Sequence, residues 1–155
     1  MRLREELWPG AGSLVWDRLA HRGFATVPKT MPLVLQIMDG MAKGQPVSST
    51  YFALWCSTWD NSFVTLSKHR EMAYLAGFSG QRGVRTWASR MKLLHDLRFI
   101  YLKPGKGTDL GYALILNPHL VIKKHHDAKT PGLVEALYIA LVELALEIGA
   151  KDMVA

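Results

Sequence analysis

The chain is poor in cysteine, with Cys56 the single one among its 155 residues. One thiol cannot form an intramolecular disulfide, and it cannot supply a cysteine-rich zinc motif. Long apolar runs are also missing, because no segment reaches the roughly 18 apolar residues of a membrane-spanning helix. The N-terminal residues lack the continuous apolar core of a secretory signal peptide. These absences predict a cytoplasmic protein in a reducing compartment, without membrane contact.

The common enzymatic signatures are absent as well. The sequence contains no G-x-S-x-G elbow, no P-loop, no glycine-rich dinucleotide fingerprint and no HExxH zinc helix. Its thirteen Asp and Glu residues are scattered, without a pair at a spacing that suggests two-metal chemistry. We therefore expect a protein that is not an enzyme and that uses no cofactor.

Positive charge is what the chain has in excess. Its formal net charge is +6, and its sequence pI is about 9.6. Residues 68–106 contain nine Lys or Arg against Glu71 and Asp96, which gives this segment a net charge of +7. Such a concentration favours a polyanionic partner. With 49% hydrophobic residues, the chain can also bury a single core.

Two predicted helices lie in this basic segment. Residues 68–75 predict a short helix with Met72 and Leu75 facing inward, and residues 81–97 predict a longer one. The longer helix has an apolar stripe at helical spacing: Val84, Trp87, Ala88, Met91 and Leu94. Its opposite face is polar and basic: Gln81, Arg82, Arg85, Thr86, Ser89 and Arg90. Such a face has the chemistry for phosphates and base edges in a DNA major groove, although a solvated amphipathic helix would show the same pattern.

A β-hairpin is predicted next. Apolar residues alternate in residues 98–103 and again in residues 111–117, as in paired strands. Residues 104–109 are rich in glycine and contain Lys106, which predicts a basic loop at the hairpin tip. A further short strand is predicted within residues 61–66, before the two helices.

Helix, turn, helix and two-stranded hairpin, in this order, resemble the winged helix-turn-helix family of DNA-binding domains. The resemblance covers about a third of the chain and rests on Ala73 followed by Gly77, and on RMKLLHDLRFI, which is similar to a recognition helix running into a wing strand. It implies binding of double-stranded DNA. The implied base contacts are Gln81, Arg82, Arg85, Thr86 and Ser89, and the implied backbone or wing contacts are Ser79, Arg90, Lys103, Lys106 and Thr108. The family usually has glycine at the position of Arg98, so a different cap is expected at this helix end.

The first third of the chain is expected to support this unit. Residues 1–30 predict an arm with a short helix at 13–21; Arg18, Arg22 and Lys29 could contact DNA, or the arm could pack on its own domain or a partner subunit. Residues 32–42 predict the first core helix, with Leu33, Ile37 and Met41 in one row. Ser48 or Ser49 is the expected N-cap of the next helix. In that helix we interpret Phe52, Trp55, Cys56 and Trp59 as core residues rather than as a base-stacking platform.

Residues 118–130 contain a run of basic side chains, Lys123, Lys124, His125 and His126. Together with His119, these histidines could suggest a metal site. Adjacent histidines in a strand point to opposite faces, however, and no carboxylate or cysteine set completes a tetrahedral site. We therefore predict a solvated basic loop without a metal.

The last predicted helix begins after Thr130, which could cap it, and ends at Gly149. It is apolar around most of its circumference, a pattern typical of a helix buried on more than one side. A second copy of the chain could cover its outer side, which predicts a homodimer. Alternatively, the N-terminal segment could cover it.

These patterns together predict an α+β fold, mainly α with a small β-hairpin wing. The expected organisation is an N-terminal arm (1–30), a winged helix-turn-helix domain (31–120), and a basic loop with a dimerising C-terminal helix (121–155). The predicted function is sequence-specific binding of double-stranded DNA by a dimeric transcriptional regulator. A plasmid or mobile-element replication protein and a winged-helix protein-interaction module remain as alternatives.

Overall fold

The computed structural model describes residues 2–17, 19–20, 22–58 and 61–153. Seven α-helices lie within this part of the chain: α1 (Arg2–Leu7), α2 (Met31–Met41), α3 (Ser48–Cys56), α4 (His69–Leu75), α5 (Gly83–Asp96), α6 (Pro118–Asp127) and α7 (Glu135–Glu147). The strands are β1 (Phe63–Thr65), β2 (Ile100–Gly105) and β3 (Thr108–Ile115), and short 3-10 helices occupy Ala11–Ser13 and Lys151–Met153. The predicted α+β class, mainly α with a small sheet, is confirmed.

The three strands form one antiparallel sheet in the order β1-β3-β2. The predicted hairpin is confirmed, with its tip inside residues 104–109. The tip is shorter than predicted, because strand pairing continues to Gly105 and Thr108 and leaves only Lys106 and Gly107 in the turn. Gly107 has a φ of 71°, which glycine adopts without strain. The strands can approach so closely because Gly111 faces the backbone of Gly105, where a β-carbon would collide.

The core is built mainly from α2, α5 and the inner face of the sheet. In α2, Val34, Ile37 and Met38 are fully buried, whereas Leu33 of the predicted row is only half-buried. The stripe predicted for α5 is confirmed at its centre, where Trp87, Met91 and Leu94 are buried. Its other members, Val84 and Ala88, are half-buried and pack against the same cluster.

Helix α3 buries a different face from the one predicted. Its buried residues are Thr50, Tyr51 and Leu54. Phe52 and Cys56 are exposed, so their assignment to the core is wrong. Trp55 is half-buried and donates its indole N–H to the carbonyl oxygen of Thr26 at 2.8 Å. Trp59 lies outside the described residues.

The N-terminus of α3 is capped from another helix. The carboxylate of Asp39 in α2 accepts hydrogen bonds from the backbone N–H groups of Val47 (2.8 Å) and Ser48 (2.9 Å). It also accepts the Ser48 hydroxyl proton at 2.6 Å. The predicted serine N-cap is therefore wrong. A carboxylate is a stronger acceptor than a hydroxyl and also complements the positive end of the helix dipole.

The N-terminal segment has little regular structure. The helix predicted at 13–21 is wrong within the described residues, since α1 ends at Leu7 and the 3-10 helix ends at Ser13. Arg18 and His21 lie outside the described residues. Several large apolar side chains of this segment are exposed, including Trp8 and Leu14.

Residues 118–127 form a helix, so the basic loop predicted there is wrong. Two local features begin α6: the Asn117 side chain accepts the His119 backbone N–H at 2.9 Å, and Pro118 occupies the first turn. Pro118, Val121 and Ile122 are buried at helical spacing. Val121 and Ile122 join the same core cluster as α2 and α5, so α6 crosses the boundary expected at residue 120.

Helix α7 ends where the sequence predicts and begins later. Gly149 has a φ of 78° and terminates it. At the other end, Gly132 has a φ of 88° in a turn, so α7 starts at Glu135 rather than directly after Thr130. The helix packs against α2 and the C-terminal 3-10 helix. Along the described part of the chain, no helix combines the length and apolarity needed to span a membrane.

Candidate nucleic-acid interface

The α4–α5 pair is joined by a turn that two glycines shape. Gly77 has a φ of 98° and Gly80 a φ of 81°, both in the left-handed region that favours glycine. Ala73 is buried at the contact, as its small side chain predicts, and Ala76 is buried beside it. Leu75, in contrast, is 69% exposed, so its predicted inward orientation is wrong. The small buried residues let α4 pack closely against α5.

One face of α5 presents polar side chains to solvent. Arg85 and Ser89 are exposed on it, and Lys92 follows at helical spacing. The three residues line a groove of about 450 Å³, whose walls are Gln45, Arg85, Ala88, Ser89, Lys92, Leu93 and Asp96. Sequence reasoning missed Lys92 and Gln45 as site residues. The signal for Lys92 was its position two helical turns after Arg85; Gln45 comes from a distant loop and had no local signal.

Arg82, Thr86 and Arg90 follow one another at four-residue spacing, and the last two are less exposed than Arg85 and Ser89. Arg82 precedes the first turn of the helix and is exposed, Thr86 is half-buried, and Arg90 is half-buried. The Arg90 guanidinium lies 5.9 Å from the centre of the Phe78 ring. Its Nε atom is buried without a hydrogen-bond partner among the described residues. Packing on Phe78 therefore restricts Arg90, in contrast to the exposed Arg85.

Three predicted site residues lie in the turn rather than on the helix. Helix α5 begins at Gly83, so the start predicted at residue 81 is wrong. Ser79 and Gln81 are exposed in the turn before it, and Arg82 is the N-cap residue. A β-carbon on Gly83 would lie 3.0 Å from the Phe78 carbonyl oxygen, so this turn packs tightly on the helix start.

The hairpin carries the predicted wing residues. Lys103 and Lys106 are exposed. Thr108 is half-buried, and its hydroxyl oxygen accepts the Leu110 backbone N–H at 3.0 Å, which holds it in the hairpin. Lys106 and Thr108 line a groove of about 450 Å³ that also includes Ser67 before α4.

His69 fixes the hairpin to the helical pair. Its Nε2 atom lies 2.8 Å from the Leu110 carbonyl oxygen, a contact in which the ring N–H donates. The same ring lies 5.0 Å from the Trp87 ring of α5. One side chain therefore contacts both the hairpin strand and the buried side of α5, which sets their relative position.

The C-terminus of α5 has the left-handed geometry that glycine normally supplies. Arg98 has a φ of 71°. Its backbone N–H bonds the His95 carbonyl, and the Phe99 N–H bonds the Leu94 carbonyl, each at 3.0 Å. This pair of bonds is the Schellman arrangement. The expectation of a different cap at Arg98 is therefore wrong, because the arginine adopts the conformation expected of glycine.

Among the residues that the structure describes, none of the nine Lys and Arg side chains between residues 68 and 106 forms an ion pair. The contacts between oppositely chargeable side chains found within the described ranges are Arg2–Glu6 and Arg4–Glu5, and two histidine–carboxylate contacts, His119–Asp152 and His126–Glu135. The basic segment thus keeps its net charge of +7 without internal neutralisation. Unpaired surface cations raise the local positive potential, which attracts phosphates.

No protein-family model, curated protein or solved structure matches this chain. The resemblance to the winged helix-turn-helix family thus rests on the residues and the order of elements.

The histidines of α6 each have separate partners. His119 is buried, with Nε2 2.7 Å from the Thr30 hydroxyl and Nδ1 3.0 Å from an Asp152 carboxylate oxygen. The His126 ring stacks on Tyr138 at 3.7 Å between centroids. Across the residues that the structure describes, no group of three or more His, Cys, Asp or Glu is placed to hold a metal ion.

The contacts of Asp152 with Asn117 and His119 change the pKa of its carboxyl group. Burial raises the pKa of Asp152, but the hydrogen bonds donated by Asn117 and His119, together with the electrostatic attraction of His119, outweigh burial and hold this pKa below its usual value. The contact joins the C-terminal 3-10 helix to α6, and Thr30 extends it to the start of α2. This contact connects parts of the fold, and it involves none of the residues on the exposed face of α5.

Proposed function

We propose that this chain is a cytoplasmic, sequence-specific, double-stranded DNA-binding protein of winged helix-turn-helix type that acts as a dimeric transcriptional regulator. The observation that carries the proposal is the set of nine Lys and Arg residues between positions 68 and 106, none of which has an ion-pair partner within the described part of the chain. A partner without negative charge would bury these cations without neutralising them, which is costly. DNA phosphates would neutralise them, and counterions would be released from the DNA.

The exposed face of α5 is proposed to enter the major groove. Base contacts would come from Gln81, Arg82, Arg85, Thr86 and Ser89, because guanidinium and amide groups form bidentate hydrogen bonds with guanine and adenine. Phosphate and wing contacts would come from Ser79, Arg90, Lys103, Lys106 and Thr108. Lys92 joins the phosphate contacts in this proposal, since it continues the row of Arg85 and Ser89. Asp96 limits the groove at the end of the helix, where a phosphate would be repelled.

Dimerisation is proposed to use the outer face of α7. Tyr138, Leu141 and Ala145 face the core, whereas Ile139 is 48% and Leu146 is 55% exposed two turns apart. A second copy packed on this face would bury both, and a two-fold dimer would place two α5 helices on half-sites about one DNA turn apart. Sedimentation velocity should show a dimer that Ile139→Lys with Leu146→Lys dissociates, whereas Leu14→Lys in the N-terminal segment leaves it intact.

Selection of bound duplexes from a random pool tests sequence specificity. The proposal expects convergence on one site, and a palindrome in that site would report the dimer. A pool that stays random while binding persists would contradict sequence-specific recognition and leave only general phosphate binding.

A protein-interaction module is a second candidate because the outer face of the sheet is apolar. Phe63, Tyr101, Tyr112 and Leu114 are each between 40% and 45% exposed there. Phe63 and Tyr112 stack with ring centroids 5.9 Å apart. This candidate predicts no salt-dependent binding to duplex DNA, whereas a phosphate-binding protein loses affinity steeply as salt rises.

A further inference from the structure

A second groove lies on the other side of the α5 C-terminus, between the start of β2 and helix α6. It encloses about 680 Å³, within the range of sites that bind small molecules. Its lining residues are Arg98, Tyr101, Leu116, Asn117, Leu120, Val121, Lys124, His125, Ala128 and Thr130. We call it the α6 groove. None of these residues belongs to the proposed DNA-contacting face of α5.

The floor of the α6 groove is apolar and open to water. Leu120 is 46% exposed and Tyr101 is 45% exposed, and both line the groove. Leu120 and Lys124 are spaced four residues apart on α6, and Ala128 follows at the same spacing as its C-cap, so one face of α6 and its C-cap form the wall. An apolar ligand would remove this surface from water, which favours binding. The groove therefore offers affinity for a hydrocarbon or aryl group.

Two cationic side chains, Arg98 and Lys124, line the α6 groove. The Nε2 atom of His125 lies 2.6 Å from the Leu97 carbonyl oxygen. This contact holds the end of α5, next to Arg98, against α6, the helix that carries Lys124. Neither cation has an ion-pair partner among the described residues. Thr130 also lines the groove, and its hydroxyl lies 2.8 Å from His125 Nδ1. Two unpaired cations next to an apolar floor complement a molecule with one anionic end and one apolar end.

We propose that the α6 groove binds a small amphipathic carboxylate, of the size of a medium-chain fatty acid or an aryl carboxylic acid. The carboxylate would pair with Arg98, whose guanidinium can donate two parallel hydrogen bonds, and with Lys124. The apolar group would lie on Leu120, Leu116 and Tyr101. No covalent step is involved, so the site is one of reversible binding.

The α6 groove adjoins the C-terminus of α5, the helix proposed to contact DNA. This part of the inference rests on the proposed function. Leu97 is the C-cap of α5 and Arg98 the left-handed residue that ends it. A ligand held by Arg98 would interact with the end of α5 and with α6 at once. A carboxylate that binds one position of α5 better than another would shift its equilibrium by that difference in affinity.

Ligand binding is tested first, without DNA. Amide shifts of the ¹⁵N-labelled chain are followed while octanoate, decanoate, phenylacetate and indole-3-acetate are added, with octan-1-ol and octylamine as uncharged and cationic controls. The proposal expects saturable shifts around Tyr101, Leu120 and Ala128 with an acid, and binding at least about tenfold weaker to the alcohol and the amine. Failure of every acid to saturate below about 5 mM would overturn the proposal, as would equal binding of the alcohol.

Matched variants assign the binding to the α6 groove. Lys124→Glu and Leu120→Glu should each weaken acid binding at least about tenfold by placing an anion beside the ligand. Lys123→Glu makes the same charge change on α6 at a residue that does not line the groove, so it should bind as the wild type does. Equal loss in all three variants, or in none, would overturn the assignment. Dimer dissociation by Leu120→Glu in sedimentation would also overturn it, because the groove would then hold a second copy.

The effect on DNA binding separates the two proposals. With a duplex selected by the wild type, the bound acid should change the dissociation constant at least about fivefold, and Lys124→Glu should remove that change. An unchanged constant at saturating acid would overturn the regulatory part and leave the binding site intact. Absence of DNA binding in any condition would instead overturn the proposed function, while the amide-shift titration still decides the ligand site.

Discussion

Gly40 and Gly132 bring two backbones together at a distance that excludes a side chain on either residue. A β-carbon on Gly40 would lie 2.8 Å from the Gly132 carbonyl oxygen, and one on Gly132 would lie 2.7 Å from the Gly40 carbonyl oxygen. The contact joins α2 to the turn that precedes α7, and the two helices pack against each other beyond it. The placement of α7 on the core therefore depends on both glycines.

Gly40→Ala should destabilise the fold by roughly 1–3 kcal/mol, because backbone atoms must shift to admit the methyl group. Alanine favours a helix by about 1 kcal/mol over glycine, so the loss would oppose the intrinsic propensity. Urea unfolding followed by circular dichroism measures the difference. Gln36→Ala, at an exposed position of the same helix, should stay within about 0.5 kcal/mol of the wild type. A Gly40→Ala variant as stable as wild type would show that the contact is looser than described.

Arg98→Gly should stabilise the chain by about 0.5–1 kcal/mol. The left-handed conformation costs a residue with a β-carbon about 1–2 kcal/mol, and part of the gain is offset by the greater freedom of glycine in the unfolded chain. Arg98→Ala removes the same side chain but keeps the β-carbon, so it serves as the control and should not stabilise. Thermal unfolding of the three proteins compares them. Equal stability of the glycine and alanine variants would contradict a role for the backbone conformation.

Asp152 should contribute stability that disappears in acid. Its pKa is lower in the folded protein than in the unfolded chain, so the contribution is complete above the unfolded value of about 4 and is lost as the pH falls through the folded pKa. The difference in unfolding free energy between the wild type and Asp152→Asn should therefore be largest near neutral pH and shrink below about pH 4. Because the other carboxylates contribute equally in both proteins, their pH dependence cancels in this difference. A difference that stays constant down to about pH 2.5 would show that Asp152 makes no such contribution.

The elements that could be predicted from the sequence are those determined by residues close to one another in the chain. Helical spacing predicted α2 and the buried stripe of α5, and alternation predicted the hairpin strands. Local signals for α6 were present as well, in Asn117 and Pro118, but the run of lysine and histidine beyond them suggested a solvated loop. Val121 and Ile122 are apolar and follow Pro118 by three and four residues, which is helical spacing, and all three are buried in the structure. This spacing was the sequence signal for a helix.

Other features have causes that are distant in sequence. Asp39 caps α3 from eight and nine residues away. His119 contacts Thr30 across 89 positions. Periodicity cannot reveal such pairs, because each partner alone is an ordinary polar residue. The candidate site divides in the same way: Arg85 and Ser89 were predictable from one helix, whereas Gln45 and the whole α6 groove arise only when distant segments meet.

Arg85 and Lys106 should affect DNA binding differently. Arg85→Ala should cost roughly 1–3 kcal/mol on the selected site and relax specificity there, if its guanidinium contacts a base. Lys106→Ala should weaken all sequences alike, because a phosphate contact carries no sequence information. Fluorescence anisotropy on the selected and a scrambled duplex gives both ratios, and Lys151→Ala, outside the proposed interface, should match the wild type. An equal loss on both duplexes for Arg85→Ala would reject its base-reading role.

The salt dependence of binding to a random duplex tests the central claim most directly. Each phosphate that the protein neutralises contributes about −0.9 to the slope of log K against log salt concentration. We expect clear binding at low salt, an affinity that falls steeply as salt rises, and a slope that is shallower by about one in Lys106→Ala. No binding at low salt, or an affinity that does not change with salt, would contradict the assignment of the basic α4–α5 and hairpin surface to DNA.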